Sequence, residues 1–318
     1  MGEFQRIGRI QHLFSAMTGP YVQLGIGDDA AVLSCPRGGR LVWTIDSSVE
    51  DVHFRRDWLS EGDIGWRSFH AAVSDIAAMG AKPVGALSAL ELPAHLGDAP
   101  LQRLLQGQAD AAVSLACPVI GGNLARSAKL TVTTTVLGRT QDRVLTRSGA
   151  SVGDEIWLVG DVGLAAAGLS CLMSGRRLLR GSAVERCIAA WRRPVALIAR
   201  GRALVGRASS AIDVSDGLVG DARHLAQASG VGIELDLDSI EGFMCPELHS
   251  VAETLASTAL NWALYGGEDY ALLATGQAAA RPRWARRIGE IVEGRGVWGM
   301  SRHAVRQRLR TGFDHFAG

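Results

Sequence analysis

The string VSDIAAMGAKP (residues 73–83) carries a single carboxylate near the end of a predicted helix. Small and apolar side chains predict a helix over Asp63–Met79, with Gly80 as its C-terminal stop and Pro83 just beyond it. Asp75 lies on a stripe of small residues, a helix face that can lie close to another element. An acid on such a face pairs with a cation, caps a backbone or binds a metal ion, because an unpaired carboxylate resists burial.

Further carboxylate motifs occur at predicted turns and strand ends. They are GIGDDAAVL (residues 25–33), TID (residues 44–46), DVSDG (residues 213–217) and GGED (residues 266–269). Hard oxygen ligands that are scattered along the chain but placed at such positions predict one magnesium site assembled in three dimensions. Because magnesium usually reaches a protein through substrate phosphates, the pattern indicates a nucleotide-dependent enzyme.

Each motif also has a simpler interpretation. Gly and Asp favour surface turns, so the Asp28-Asp29 pair could lie in one, and Asp46 could cap a loop. A single histidine such as His53 is more often a surface residue than a catalytic one. Arg147 could hold phosphate oxygens, although a solvated surface arginine is the default. The combination of motifs, rather than any one of them, therefore carries the prediction.

Composition narrows the class of protein. The chain has 318 residues, with 33 Lys and Arg against 32 Asp and Glu, so no global positive field favours nucleic acid. We expect no membrane segment, because no apolar stretch approaches the roughly 20 residues of a spanning helix. The five cysteines are widely spaced without a Cys-x-x-Cys pair, which favours reduced thiols in the cytoplasm, although a catalytic cysteine stays open.

The order of predicted elements indicates two mixed α/β domains, an α/β (α+β) fold class. A turn-rich, polar segment over residues 140–154 predicts the division into residues 1–140 and 141–318. Predicted helices cover Phe4–Met17 and Gly217–Ser229, in addition to the one described above and one that starts at Gly163. Predicted strands cover residues 40–45, 129–137, 155–159 and 232–237, one ends at Asp213, and the last two flank GGED.

Known nucleotide-binding fingerprints are absent from the sequence. There is no Gly-x-x-x-x-Gly-Lys-Ser/Thr string and no Gly-x-Gly-x-x-Gly string after a predicted strand. The DVSDG motif instead lies between a strand and a helix, where free backbone amides favour a phosphate.

Together the motifs resemble those of the bacterial thiamine-monophosphate kinase family, within the aminoimidazole ribonucleotide synthetase-like superfamily. The resemblance covers nearly the whole chain. The matching strings are MGEF (residues 1–4), GIGDDAAV (25–32), VHF (52–54), VSDIAAMGAKP (73–83), IDVSDGL (212–218), YGGEDY (265–270) and GFDHF (312–316). The resemblance implies that both α/β domains are of the aminoimidazole ribonucleotide synthetase-like type. It also implies that the first domain binds ATP and metal and forms the dimer.

The resemblance implies transfer of the γ-phosphoryl group of ATP to thiamine monophosphate, giving thiamine diphosphate, in a cytoplasmic homodimer. It implies Mg²⁺ as cofactor and ATP as co-substrate. No catalytic base is implied, because the attacking phosphate oxygen is already ionised at neutral pH. The implied magnesium ligands are Asp29, Thr44, Ile45, Asp46, Asp75, Asn123, Asp213 and Asp216. The implied ATP contacts are Gly122, Arg147 and Ser215, and the implied substrate contacts are His53, Glu268 and Phe313.

Two positions depart from the family pattern. The chain has Asn123 where the family usually has aspartate, which keeps a carbonyl oxygen but removes a negative charge. It has Ile45 where a threonine is usual, so that only the backbone carbonyl could serve a metal. These departures leave open a paralogue that acts on another phosphorylated substrate, or a catalytically weak nucleotide-binding partner protein.

Overall fold

The computed structural model describes residues 22–24, 28–34, 38–141, 143–175, 181–302 and 304–309. The predicted helix over Phe4–Met17 and the predicted substrate contact Phe313 lie outside these residues. Each half of the described chain combines one sheet with helices, so the predicted fold class of two mixed α/β units is confirmed.

The first half contains a six-stranded sheet in the order β1-β2-β3-β6-β4-β5. All neighbouring strands are antiparallel except β4 and β5. The strands are β1 (Val22–Leu24), β2 (Ala31–Ser34), β3 (Arg40–Val49), β4 (Lys82–Pro93), β5 (Val119–Ser127) and β6 (Thr131–Thr140). Two helices, α1 (Glu61–Ala78) and α2 (Asp98–Ser114), pack against each other, and α1 also contacts β3 and β6. The core of this half therefore lies between α1 and the central strands.

Helix α1 forms where the sequence predicts it. Its N-cap is Ser60, whose hydroxyl accepts a hydrogen bond from the Asp63 backbone amide at 3.1 Å. Glu61 and Asp63 in the first turn favour the positive end of the helix dipole. The helix ends at Ala78, and Gly80 follows in the left-handed region at φ +69°.

The second half contains a seven-stranded sheet in the order β13-β12-β9-β11-β7-β10-β8, in which only β12 and β9 are parallel. Its strands are β7 (Glu155–Val159), β8 (Ser210–Val214), β9 (Gly232–Asp236), β10 (Ala271–Gly276), β11 (Arg286–Val292), β12 (Gly296–Ser301) and β13 (Ala304–Arg308). Its helices are α3 (Leu164–Met173), α4 (Ser182–Arg192), α5 (Ile198–Leu204), α6 (Leu218–Ser229), α7 (Leu237–Phe243), α8 (Pro246–Thr254) and α9 (Ala259–Tyr265).

The expectation for the GGED string is wrong, and a second segment forms a strand although its composition is typical of a turn. The Gly121-Gly122-Asn123 string, which alone is typical of a turn, lies inside β5. There a Cβ on Gly122 would come within 1.8 Å of the Ser88 carbonyl oxygen, so glycine allows β5 to approach β4. The GGED string lies between a helix, α9, and strand β10, and not between two strands.

Helix α1 also joins the two halves. The Trp66 indole N–H donates to the Pro194 carbonyl oxygen at 2.9 Å, and the Ala196 amide donates to Nδ1 of buried His70 at 3.0 Å. Ala77 and Ala78 pack in one apolar cluster with residues of the second sheet. Residues of α1 that face this junction are therefore held between both sheets. The predicted domain boundary at residue 140 coincides with the end of β6 and stays a prediction.

No helix in the described part of the chain combines the length and apolar character that crossing a membrane requires.

We expect Gly107→Ala to destabilise the protein. A Cβ on Gly107 of α2 would lie 1.9 Å from the Gly62 carbonyl oxygen of α1. The overpacking cost of about 1–3 kcal/mol exceeds the gain in helix propensity of about 1 kcal/mol. Thermal unfolding checks this, with Gly62→Ala as the control, because a Cβ there meets nothing nearer than 3.6 Å. Equal midpoints for both variants would contradict the close contact of the two helices.

Candidate active site

Three carboxylates meet where the two halves join: those of Asp29 and Asp213 are buried, and that of Asp75 is half-buried. Asp29 precedes β2, Asp75 lies on α1 and Asp213 lies in β8. One carboxylate oxygen from each lies within 4.8 Å of the others. Segments far apart in sequence therefore supply the oxygens of one cluster, here called the carboxylate triad.

Burial and mutual repulsion make the carboxylate triad electrostatically unfavourable without a cation. Burial, and next the charge of Asp29, raises the pKa of Asp213 to about 7. Burial, followed by the charges of Asp213 and Asp29, raises the pKa of Asp75 well above its usual value. Oδ2 of Asp29 is buried and has no hydrogen-bond partner among the described residues. A buried oxygen with unused lone pairs, beside two further hard oxygen donors, fits a magnesium ion.

Protein groups bind two other oxygens of the triad. Arg147 donates from Nε and Nη2 to Oδ1 of Asp29, at 3.0 and 2.5 Å, and its backbone amide donates to Asp28 at 3.0 Å. The Thr44 hydroxyl donates to Oδ2 of Asp75 at 2.5 Å. These contacts fix two of the carboxylates and leave Oδ2 of Asp29 for a ligand.

A second loop is fixed next to the triad. The amides of Ser215 and Asp216 both donate to Oδ2 of buried Asp221, at 3.1 Å. The Glu268 amide donates to the Ser215 carbonyl oxygen at 2.8 Å, and the Tyr270 amide donates to Val214 at 2.9 Å. The loop after β8 is thus held on one side by α6 and on the other by the GGED segment.

A cavity of about 710 Å³ extends from the triad between the two halves. Asp46, Asp75, Asp213 and Asp216 line its acidic part. Its remaining wall is largely apolar and aromatic and includes Phe54, Trp58, Met173, Trp191, Trp262 and Tyr265. The site can therefore bind phosphates through a cation and a heteroaromatic group next to them.

Glu268 is held in the cavity wall by two groups. The Trp191 indole N–H donates to its Oε2 at 2.7 Å, and the Arg67 guanidinium forms an ion pair with its Oε1. Arg67 also donates to the Trp191 carbonyl oxygen, and its guanidinium carbon lies 4.7 Å from the centre of the Trp191 ring. Burial alone would lower the pKa of Arg67, but Glu268, Tyr270 and Asp46 together more than offset this and raise it.

The structure places most of the predicted site residues together. Eight of them line the cavity: Ile45, Asp46, His53, Asp75, Asp213, Ser215, Asp216 and Glu268. Nδ1 of His53 accepts a hydrogen bond from the Val49 amide at 3.0 Å. Asp29, Thr44 and Arg147 lie in or beside the triad, as given above. Gly122 and Asn123 lie on exposed edge strand β5, outside the cavity wall.

Comparison with known proteins finds relatives over most of the chain. The models for the N-terminal and C-terminal domains of AIR synthase related protein match residues 27–140 and 151–297. The thiamine-monophosphate kinase of Aquifex aeolicus is 34% identical over 307 residues, which are 94% of this chain and 94% of that protein. The thiamine-monophosphate kinase of Mycobacterium tuberculosis (strain H37Rv) is 34% identical over 92% of this chain and 86% of that protein.

The chain belongs to the thiamine-monophosphate kinase family. A solved structure described as AaThiL complexed with AMPPCP and TMP has a TM-score of 0.88 and 31% identity, and covers 99% of this chain and 97% of that chain. The hydrogenase maturation protein HypE of Escherichia coli, at 22% identity and a TM-score of 0.69, shares the fold. The alternatives of another substrate or of a non-catalytic partner protein are not favoured by these relatives.

Reasoning from sequence missed three residues of this thiamine-monophosphate kinase family site: Arg67, Trp191 and Asp221. A signal for Arg67 was present, because it precedes Asp75 by two helical turns and both share a face of α1 with Ala71. Trp191 and Asp221 carry no comparable signal, since a tryptophan at a helix end and an acid in the first turn of a helix are ordinary.

We expect Mg²⁺ to stabilise the protein more at about pH 8 than at about pH 5.5. At the lower pH the Asp213 carboxyl, whose pKa is raised to about 7, holds a proton that a metal ion must displace. Without metal, the pH dependence of stability has the opposite sign. Because the pKa of this carboxyl is raised in the folded state, the free energy of unfolding falls as the pH rises from about 4 to about 7. Thermal melts at both pH values, with and without Mg²⁺, measure this stabilisation. With Mg²⁺ at about 100 times its Kd and the carboxyl fully deprotonated, we expect the free energy of unfolding to rise by about 2.7 kcal/mol.

Asp213→Asn is the control for this pH dependence. It removes one buried like charge, so we expect a higher midpoint without metal at about pH 8 and a smaller rise when Mg²⁺ is added. If Mg²⁺ shifted the thermal midpoint of the native protein equally at both pH values, Mg²⁺ and protons would not compete for the triad, and the prediction would be contradicted.

Proposed function

We propose that this protein transfers the γ-phosphoryl group of ATP to thiamine monophosphate, with thiamine diphosphate and ADP as products. The observation that carries the proposal is the single cavity that joins the carboxylate triad to an aromatic wall. The proposal is supported by the likeness to a relative whose structure holds AMPPCP, an ATP analogue, together with TMP.

The reaction needs positioning more than a nucleophilic side chain. A phosphate oxygen of thiamine monophosphate attacks the γ-phosphorus, a new O–P bond forms, and the bond to the β–γ bridging oxygen breaks, so that ADP leaves with that oxygen. The attacking oxygen is largely ionised at neutral pH, because the second pKa of a phosphate monoester is about 6. No protein base is therefore required.

Magnesium fits the carboxylate triad, where Asp29, Asp75 and Asp213 would hold it. When bound, magnesium offsets the charge of the phosphates and keeps donor and acceptor together. Thr44 orients the Asp75 carboxylate, and Arg147 orients that of Asp29, as their hydrogen bonds show. Of the other proposed ligands, Asp46 and Asp216 supply side-chain oxygens at the acidic wall, Ile45 a carbonyl oxygen, and Asn123 an amide oxygen on β5.

The proposed substrate contacts divide by chemistry. Ser215, Arg147 and Gly122 are proposed to contact ATP, because hydroxyl, guanidinium and backbone amide groups bind phosphates. His53 and Glu268 are proposed to contact thiamine monophosphate, because both line the cavity next to the aromatic wall.

We expect Asp75→Asn to lower kcat about 100-fold or more while the protein stays folded. The substitution keeps the size of the side chain but removes one preorganised charge from the magnesium site. Formation of ADP with thiamine monophosphate, ATP and Mg²⁺ measures the effect. Asp110→Asn on α2, an exposed aspartate that contacts Gln106, is the matched control and should leave the rate unchanged. Near-normal activity of Asp75→Asn at low magnesium would contradict the site.

We also propose that the enzyme is a homodimer formed through the first sheet. Strand β5 lies at the edge of that sheet and pairs only with β4 among the described strands. It exposes Ile120 by 71% and Leu124 by 64%, and Ile45 on β3 is exposed by 65%. An apolar strand edge without a partner favours association with a second copy, since it buries both the side chains and the free backbone groups.

We expect Ile120→Asp to convert the dimer into a monomer. A carboxylate placed in an apolar interface must be buried without a partner, which costs several kcal/mol. Light scattering at micromolar concentration measures the mass. Val113→Asp on α2, where the valine is 82% exposed and lies on a helix rather than on the sheet edge, is the control and should remain dimeric. A monomeric native protein would exclude the proposed interface.

We place the enzyme in the cytoplasm. The described cysteines, Cys117, Cys171, Cys187 and Cys245, are all free thiols, and ATP is the proposed donor. Both features are typical of a reducing, ATP-containing compartment.

A further inference from the structure

We infer that Trp191 and Arg67 are positioning residues, which hold the Glu268 carboxylate toward the heteroaromatic rings of the acceptor. The inference rests on the proposed function and goes beyond it, because it names the part of the acceptor that this wall recognises. A carboxylate repels a phosphate but attracts a cationic ring or an amino group, so Glu268 fits the thiazolium and aminopyrimidine end of thiamine monophosphate.

The Trp191 side chain is placed to orient the Glu268 carboxylate. It is only 1% exposed, yet its indole N–H donates to Oε2 of Glu268 at 2.7 Å. Trp58 meets its ring edge-to-face, with ring centres 6.3 Å apart, and thereby fixes its orientation. A hydrogen bond from a fixed donor restricts the carboxylate to one rotamer.

Arg67 holds the same carboxylate from the other half of the molecule. Its side chain is 4% exposed and forms the ion pair with Oε1 of Glu268, while the side chain of Glu268 is 28% exposed. The guanidinium also contacts the Trp191 carbonyl oxygen and ring, so the three residues form one connected group. Because Arg67 lies on α1 and Glu268 follows α9, this group joins the two halves at the cavity.

The backbone of Glu268 is held in a strained conformation at this position. Its φ is +69°, a value that a non-glycine residue adopts only when its surroundings compensate the cost. Its amide is fixed by the Ser215 carbonyl oxygen at 2.8 Å. The side-chain contacts with Trp191 and Arg67 complete this restraint, so the carboxylate faces the acceptor in one defined orientation.

The test separates the affinity for the acceptor from the affinity for ATP. We expect Trp191→Phe, which keeps an aromatic ring but removes the N–H donor, to raise the KM for thiamine monophosphate roughly 10-fold, the scale of a lost hydrogen bond to a charged group. The KM for ATP and kcat should change less than about twofold, since lost ground-state binding appears in KM. Trp284→Phe is the matched control: Trp284 also stacks with an arginine, Arg200, at 4.5 Å, but lies outside the cavity wall.

Arg67 provides the second variant. We expect Arg67→Met to raise the KM for thiamine monophosphate at least as much as Trp191→Phe, and Arg67→Lys to restore part of the affinity because it keeps the charge. A thermal midpoint that is equal in the methionine and lysine variants, combined with this difference in KM, separates positioning from a merely structural role. This comparison also decides the matter if Trp191→Phe does not fold.

The outcomes distinguish the inference from the proposed function. If the native protein forms no thiamine diphosphate, the proposed function fails. If the native protein is active but the KM for thiamine monophosphate is unchanged in Trp191→Phe and Arg67→Met, the inference is overturned alone. Equal increases of the KM for both substrates, with a lower thermal midpoint, overturn it as well, because they indicate a general loss of structure.

Discussion

Repulsion among the carboxylates of Asp29, Asp75 and Asp213, two of them buried and one half-buried, constrains the whole site. Asp29, Asp75 and Asp213 come from a loop, a helix and a strand, and their oxygens lie within 4.8 Å of one another. Folding alone gains nothing from that arrangement, because burial raises the pKa of each carboxyl. The arrangement becomes favourable with a cation, such as the magnesium ion proposed above, which would use the same oxygens. Part of the stability of the fold is thus given up at this point in favour of ligand binding.

The second constraint is that the site exists only where the two sheets meet. Helix α1 packs in the core of the first half and also contacts the second half through Trp66 and His70. Its cavity-facing residues therefore have neighbours from both sheets. Ion pairs at such a junction, like that between Arg67 and Glu268, are sensitive to small relative movements, since a buried pair is favourable only in good geometry.

Local sequence patterns predicted the elements that carry local signals. The cap and stop of α1, strand β7 over Glu155–Val159 and the strand-to-helix junction at DVSDG agree with the structure. The strand at Gly121-Gly122-Asn123 could not be predicted from local sequence. Glycine is required at position 122 because the neighbouring strand leaves no room for a side chain, and not because the position forms a turn. The group formed by Arg67, Trp191 and Glu268 was missed for a related reason: its contacts join residues that are 77 to 201 positions apart in sequence.

The regular rise of α1 has a consequence for how the two ends of the cavity are placed relative to each other. Arg67 and Asp75 are eight positions apart on one face, so the helix separates them by about 12 Å. One marks the end of the cavity that holds Glu268, and the other marks the carboxylate triad. Because an α-helix does not stretch, the backbone positions of Arg67 and Asp75 keep this separation. The two ends of the cavity therefore move together when α1 moves as a rigid rod.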